Sequence, residues 1–243
     1  MVPAAICYDG NWSDSLGKGE IGVKVRFLGH SAVALEDRGT RFLFDPFITD
    51  NPAAPVKPSD LPADYIFLSH AHFDHIGDTA DIAKRCDATV ISTFEVTNLL
   101  ADQGVKTHAM NLGGTFRFPF GKVRCTIAFH SAGVAGGSAC GWVINTGSKS
   151  FYHTGDTALT AEFSVLAQVE SIDLVCLPIG GNFTMDASDA VVAADLIKAK
   201  TVVPIHYDTW PPIAADVSTF KREVESRTQS KVVILRSGEE YEF

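Results

Sequence analysis

The sequence is short of cysteine and pairs none of it: Cys7, Cys86, Cys125, Cys140 and Cys176 are odd in number, scattered, and form no Cys-x-x-Cys. That argues against a disulfide framework and against a thiolate zinc site, and leads us to expect reduced, buried thiols in the cytoplasm. Long apolar runs are also missing. No stretch approaches the roughly 20 residues needed to cross a bilayer, so no membrane association is expected. The first 20 residues lack a basic start followed by an apolar segment, so export is not expected either. Basic charge is in deficit, with 20 Lys and Arg against 29 Asp and Glu and a net charge of -9. A phosphate backbone finds no electrostatic footprint in such a balance, and nucleic acid is not the expected partner.

What is present is a globular composition, 46% hydrophobic over 243 residues, enough chain for a substantial core. Of its 8 histidines, three fall in His70-Ala71-His72-Phe73-Asp74-His75. Imidazole nitrogen and carboxylate oxygen are the donors that borderline divalent cations prefer, and packing alone gives no reason to collect them in one loop. The run 63–69 before them reads as a buried strand entered after Pro62. Alternation then puts His70, His72 and Asp74 on one face, with His75 opening a helix predicted over 76–85.

The chain also repeats itself. A strand 24–28, His30-Ser31-Ala32, a hairpin through Asp37-Arg38-Gly39-Thr40 and a strand ending in Asp45 are answered by a strand 122–129, His130-Ser131-Ala132, a strand 140–145, a turn at Thr146-Gly147 and a strand 150–153 leading to Asp156. Later strands correspond too, 64–68 with 173–177 and 88–91 with 200–205, and a helix is predicted over 187–198. An internal duplication is expected. The fold class is α/β: a four-layer αββα sandwich of two mixed sheets face to face with helices outside. One domain is expected over 21–243, preceded by an N-terminal extension over 1–20.

Three more candidates end strands: His130, Asp156 and His206. Each has a plain alternative, a hydrogen-bonded structural histidine or a turn-capping aspartate. Taken in order with the first loop, they resemble the ligand set of the metallo-β-lactamase superfamily. The stretches Leu28-Gly29-His30-Ser31, Phe44-Asp45-Pro46-Phe47-Ile48, Tyr152 to Thr157, Pro178 to Met185 and Pro204-Ile205-His206-Tyr207 are similar to a compact subgroup of small metal-dependent hydrolases close to the L-ascorbate-6-phosphate lactonase type. Two positions depart from that pattern, Gly181 where aspartate is common and Asp186 where glycine is common.

The resemblance implies that His70, His72 and His130 hold one divalent cation, that Asp74, His75 and His206 hold a second, and that Asp156 bridges them. Zinc or manganese is the expected pair, with iron or nickel as alternatives. The implied activity is hydrolysis of a small-molecule ester, lactone, amide or phosphoester by a hydroxide shared between the cations, with Asp74 orienting it or shuttling its proton. His30 is a candidate for a substrate-facing or proton-donating role, the alternative being a hydrogen-bonded histidine beneath the cleft. Asn182 is a candidate substrate contact. Asp45 and His153 are candidates for orienting the ligands from behind. His108 is expected between elements and exposed. The Pro-rich stretches 51–62 and 209–214 are read as rim loops, with Phe47 and Trp210 as apolar contacts, or else as contacts of a homo-oligomer. Two other functions stay open, a nuclease or phosphodiesterase on the same scaffold and a non-hydrolytic metal-binding or redox protein; no flavin partner is read in the chain.

Overall fold

Alternate residues of the central strands point into different cores, and this divides the molecule into layers. The computed structural model describes residues 22–243; the expected extension over 1–20 and Cys7 lie outside the described residues. The first sheet contains β1 (Lys24–Phe27), β2 (Val33–Asp37), β3 (Thr40–Phe44), β4 (Tyr65–Phe67), β5 (Thr89–Thr93) and β6 (Thr107–Met110). The second contains β7 (Thr115–Phe118), β8 (Gly121–Ile127), β9 (Cys140–Asn145), β10 (Ser150–His153), β11 (Leu174–Pro178), β12 (Thr201–Ile205) and β13 (Lys231–Val232). A last strand, β14 (Glu240–Glu242), returns to the first sheet beside β1.

Phe42, Phe44, Phe67, Trp142, Phe151 and Cys176 share one core between the sheets. Their neighbours Leu43, Ile66 and Val90 face outward under α2 (Thr79–Cys86) and α3 (Phe94–Ala101). In the second sheet Tyr152, Val175, Leu177 and Val202 face outward under α4 (Glu162–Val169), α5 (Ala187–Ile197) and α6 (Val217–Arg227). Strands covered on both faces need apolar side chains in both phases, which is why they read as solid runs. Each such side chain contributes about 1.5–3 kcal/mol relative to exposure. The predicted αββα sandwich is the observed architecture.

The two sheets have one pairing pattern. The order is β14-β1-β2-β3-β4-β5-β6 in one and β7-β8-β9-β10-β11-β12-β13 in the other. Pairs β1/β2 and β2/β3 are antiparallel while β3/β4, β4/β5 and β5/β6 are parallel. Likewise β8/β9 and β9/β10 are antiparallel while β10/β11, β11/β12 and β12/β13 are parallel. The topology is thus that of a duplication. β1, β3, β4 and β5 therefore all end at the same edge of their sheet, and β8, β10, β11 and β12 do so in theirs.

Local differences from the expected elements have physical causes. The helix predicted over 76–85 is broken into α1 (Phe73–Ile76) and α2. Gly77 between them has φ +31°, and a Cβ there would lie 2.5 Å from the Pro46 carbonyl oxygen and 2.6 Å from Phe47 Cα. Asp78 does not cap α2; its carboxylate accepts the amide protons of Ile48 and Thr49 at 2.9 and 2.8 Å. The break therefore holds the loop after β3. His108 lies in β6, half-buried against Phe116 and Phe118, not in an exposed connection. Cys125, Cys140 and Cys176 are buried thiols.

The central packing residue is Trp142, which is fully buried and donates its indole N–H to the Leu68 carbonyl at 2.9 Å, with Ser92 Oγ donating to the same oxygen at 2.9 Å. Trp142→Ala is expected to cost about 3–5 kcal/mol through the cavity it leaves. Trp142→Phe should cost only about 1–2 kcal/mol, because Leu68 keeps its bond from Ser92. Urea unfolding of both variants checks this ranking; equal losses would remove Trp142 from that central role.

Candidate metal centre

Strand ends supply the site. His30 follows β1, Asp45 follows β3, His70 follows β4, His130 follows β8, Asp156 follows β10 and His206 follows β12, so six of the eight aligned strand ends carry an ionisable group. Several hold it in left-handed backbone: φ is +56° at His30, +43° at Asp45 and +54° at His206. Such conformations are costly for residues with a Cβ and persist only where surroundings impose them. The His206 N–H donates to the His30 carbonyl at 2.8 Å, so the two halves impose the conformation on each other.

The loop after β4 folds its three histidines into two different groups. His70 Nε2 lies 2.9 Å from His72 Nδ1, and His130 Nε2 lies 3.2 Å from that same nitrogen. Beside them, Asp156 Oδ2 faces His206 Nε2 at 3.1 Å, His75 Nε2 at 3.3 Å and His130 Nε2 at 3.7 Å. Asp74 Oδ2 is 3.9 Å from both His75 Nε2 and His206 Nε2. His70, His72 and His130 form one cluster whose donor atoms lie within 4.8 Å of one another; His30, Asp74, His75 and His206 form a second, and His70, His75 and Asp156 a third that joins them. The seven residues expected as ligands are therefore brought together.

Behind these groups stands Asp45, wholly buried. Its carboxylate accepts from Ser69 N at 2.8 Å, Ser69 Oγ at 2.6 Å and His75 Nδ1 at 2.8 Å. Ser69 Oγ in turn accepts from His70 Nδ1 at 2.8 Å. The proton positions follow: with Nδ1–H committed, His70 and His75 both present a bare Nε2 to the cluster. Ser69 escapes sequence reasoning because a serine at the end of a strand looks like ordinary punctuation; its one signal is that it directly precedes His70. His153 donates Nε2–H to the Ser31 carbonyl at 2.9 Å and accepts the Gly155 N–H at 3.2 Å, so it braces the turn that presents Asp156.

His30 requires a correction to its substrate-facing expectation. It is buried, with Nδ1 against Thr209 Oγ1 at 2.8 Å and Nε2 against Asp74 Oδ2 at 3.1 Å. Burial, opposed by the bond to Asp74, pushes its pKa down to about 4. A neutral His30 then accepts from Thr209 and donates to Asp74, leaving no ring atom for a substrate. Asn182, by contrast, is exposed in left-handed backbone at φ +56°, after β11. The two departures from the family pattern touch: a Cβ on Gly181 would lie 3.2 Å from Asp186 Cβ, and Asp186 caps α5 by accepting from Asp189 N at 2.9 Å.

The electrostatics fit a cation. Burial alone would raise the Asp156 carboxyl, yet His75 and His206 outweigh it and hold its pKa well below the usual range. Burial would likewise strip the proton from His75, but Asp156 and Asp45 outweigh it and raise its pKa well above that of free imidazole. A divalent ion competes for the place of that proton. His75 Nε2, Asp156 Oδ1 and His206 Nδ1 are buried without a hydrogen-bond partner, whereas buried polar atoms are almost always satisfied. Three imidazole nitrogens converging without a donor for each, a shared carboxylate and these orphaned atoms make up a nitrogen and oxygen donor set suited to zinc, manganese, iron or nickel.

Comparison with known proteins agrees. Residues 40–207 match the β-lactamase superfamily domain. A metal-dependent hydrolase of Symbiobacterium thermophilum is 49% identical over 222 residues, covering 90% of this chain and 99% of that protein. Another from Natranaerobius thermophilus is 46% identical over 221 residues, covering 91% and 100%. Among solved structures, a metallo hydrolase of the archaeon Ignicoccus hospitalis is 36% identical with a TM-score of 0.87, covering 91% and 98%.

Asp45→Asn should lower metal affinity about 10- to 100-fold, since it weakens the bond that fixes the His75 tautomer; Ser69→Ala should act in the same direction more mildly. Competition titration against a chromophoric chelator measures both. Unchanged affinity in Asp45→Asn would show that the carboxylate braces the fold and not the ligands.

Proposed function

The chain belongs to the metallo-β-lactamase superfamily, and we propose that it works as a hydrolase with two divalent cations, cleaving an ester, lactone, amide or phosphoester of a small molecule. The observation that carries this reading is the position of Asp156 Oδ2, within 3.7 Å of His75, His130 and His206 at once. One carboxylate oxygen facing nitrogens of both donor groups is the arrangement that a pair of cations shares. His70, His72 and His130 would hold one of them, and Asp74, His75 and His206 the other.

When bound, such cations supply Lewis acidity, lowering the pKa of water from about 15.7 to about 7 and polarising the oxygen of the scissile group. The protein's own residues do the rest. Asp74, whose pKa is lowered by its bond from His30 despite the opposing effect of burial, is an ionised proton acceptor at the mouth of the cleft. His30 and Thr209 position it. Asp45 and Ser69 hold the Nδ1 protons of His75 and His70 and so turn the Nε2 atoms toward the cations, and His153 fixes the turn bearing Asp156. Asn182, exposed on the loop after β11, would donate its amide to a substrate oxygen. Among the described residues no helix is long and apolar enough to cross a membrane; we assign the protein to the cytoplasm, acting on a dissolved substrate with zinc or manganese.

Elemental analysis of the protein loaded with zinc or manganese should find two cations per chain. His72→Ala should hold about one fewer, and its kcat/KM on an ester and lactone panel should fall by about three orders of magnitude, corresponding to several kcal/mol of lost stabilisation. Full metal content and full activity in that variant would refute the assignment.

A further inference from the structure

The metal-bearing edge has a composition unlike the rest of the molecule. The segments that leave the eight aligned strand ends are 28–32, 45–56, 68–78, 93–95, 128–139, 154–162, 179–186 and 206–216, and they contain no lysine or arginine. Every ion-pair partner of Asp74 and Asp156 is a histidine. At this end of the first sheet, Arg26 and Arg236 lie out at the margin where β14 pairs with β1, and Arg26 is engaged with the Gly238 carbonyl at 3.3 Å. Meanwhile Asp50, Asp186 and Asp208, all exposed, add negative charge to the same loops. Recognition of a phosphate or carboxylate by protein groups calls for an arginine fork, a lysine or a free helix N-terminus; the helices that start at this edge carry acidic groups there, Glu95 in the first turn of α3, Glu162 in that of α4, and Asp186 and Asp189 at the start of α5.

Aromatic side chains occupy that edge instead. Of the five exposed phenylalanines among the described residues, four stand on these segments: Phe73, Phe94, Phe129 and Phe183, each 55–68% exposed. Phe73 forms a triangle with Phe47 and Trp210, at ring separations of 5.9 Å to Phe47, 6.1 Å to Trp210, and 6.1 Å between those two. The triangle sits on the second donor group, because the Trp210 ring is 4.9 Å from that of His30, which bonds to Asp74. Large exposed apolar side chains gathered at one edge mark a binding surface.

We propose that the substrate is an uncharged ester or lactone carrying an aromatic or comparably bulky apolar group, which packs on the exposed Phe73 and the half-buried Trp210, with Phe47 buried behind them, while its carbonyl lies at the metal centre. The proposal rests on the hydrolase reading above and narrows it. The reaction adds one water across the acyl C–O bond: the water oxygen joins the carbonyl carbon, the C–O bond breaks, and a proton passes to the departing alkoxide. A phosphorylated sugar lactone, the substrate suggested by the lactonase resemblance, finds no cation in these loops.

The test uses the full, metal-loaded protein and two readouts. In the first, phenyl acetate, 4-nitrophenyl butyrate and dihydrocoumarin are compared with 4-nitrophenyl phosphate and a phosphorylated sugar lactone; kcat/KM for the best neutral aromatic compound should exceed both anionic ones by about a hundredfold or more. In the second, calorimetry compares benzohydroxamic acid, acetohydroxamic acid and inorganic phosphate. The phenyl compound should bind about tenfold more tightly than the methyl one. Phe73→Ala and Trp210→Ala should each bring the ratio of the two affinities close to one, the ratio cancelling any change at the metal centre that both ligands share. A higher rate on the anionic compounds, tighter binding of phosphate, or equal affinity for the two hydroxamates overturns the proposal. If nothing in the panel is hydrolysed while the phenyl preference and its loss in the variants persist, the hydrolase reading fails and the aromatic subsite stands.

Discussion

The buried carboxylate of Asp45 is the constraint on which the rest of the centre depends. An ionised carboxylate away from water must be fully paired or it destabilises the fold by several kcal/mol. Asp45 is paired by Ser69 N, Ser69 Oγ and His75 Nδ1. Those three bonds tie the end of β3 to the end of β4 and to α1, and they also determine which nitrogen of His70 and of His75 is bare. Fold stability and ligand tautomer are therefore one requirement. A proton or a cation at the cluster is felt by Asp45 through a single imidazole.

Duplication gave the molecule two similar halves, and the site uses the places where they have diverged. His30 and His130 follow equivalent strands. One is buried and bonded to Asp74; the other is half-exposed and joins His70 and His72. Phe44 and His153 hold equivalent positions by the pairing registers of β3 with β4 and β10 with β11, and their rings stack 5.3 Å apart at 9°. At this contact between the sheets, one half keeps an apolar ring and the other a polar one that reaches back to the Ser31 carbonyl. Symmetry supplies the frame, and its breaking supplies the chemistry.

Much of this was legible because it has a period or a spacing. Both phases of the buried strands are apolar, so the layers could be read; the order His70 to His75, His130, Asp156, His206 names the ligands because each follows a strand. What could not be read depends on contacts between distant segments. Ser69 gains its role only from Asp45, 24 residues away in sequence. The break at Gly77 arises because the Pro46 loop occupies the space where a Cβ would go, and a helical pattern does not register that loop. His30 looked available because pseudo-symmetry equates it with His130, whereas Thr209, in a loop 179 residues on, closes over its second nitrogen. His108 looked like loop because Lys106 to Met110 is short and has little apolar alternation, while its partners Phe116 and Phe118 lie beyond a turn.

Charge balance decides what the centre attracts. Two divalent cations would bring four positive charges, and Asp45, Asp74 and Asp156 stand against them at the cluster, leaving a formal total of about +1 that one ionised water reduces to about zero. Around it the loops carry carboxylates and no fixed cation. Such an edge generates little field to steer an anion inward, and an anion that reached it would meet Asp50, Asp186 and Asp208 on the way. A neutral substrate pays no such penalty, and desolvating an aromatic group against Phe73 and Trp210 is favourable by itself. The net charge of the whole chain, -9, thus reinforces at long range the selection that the aromatic triangle makes at contact.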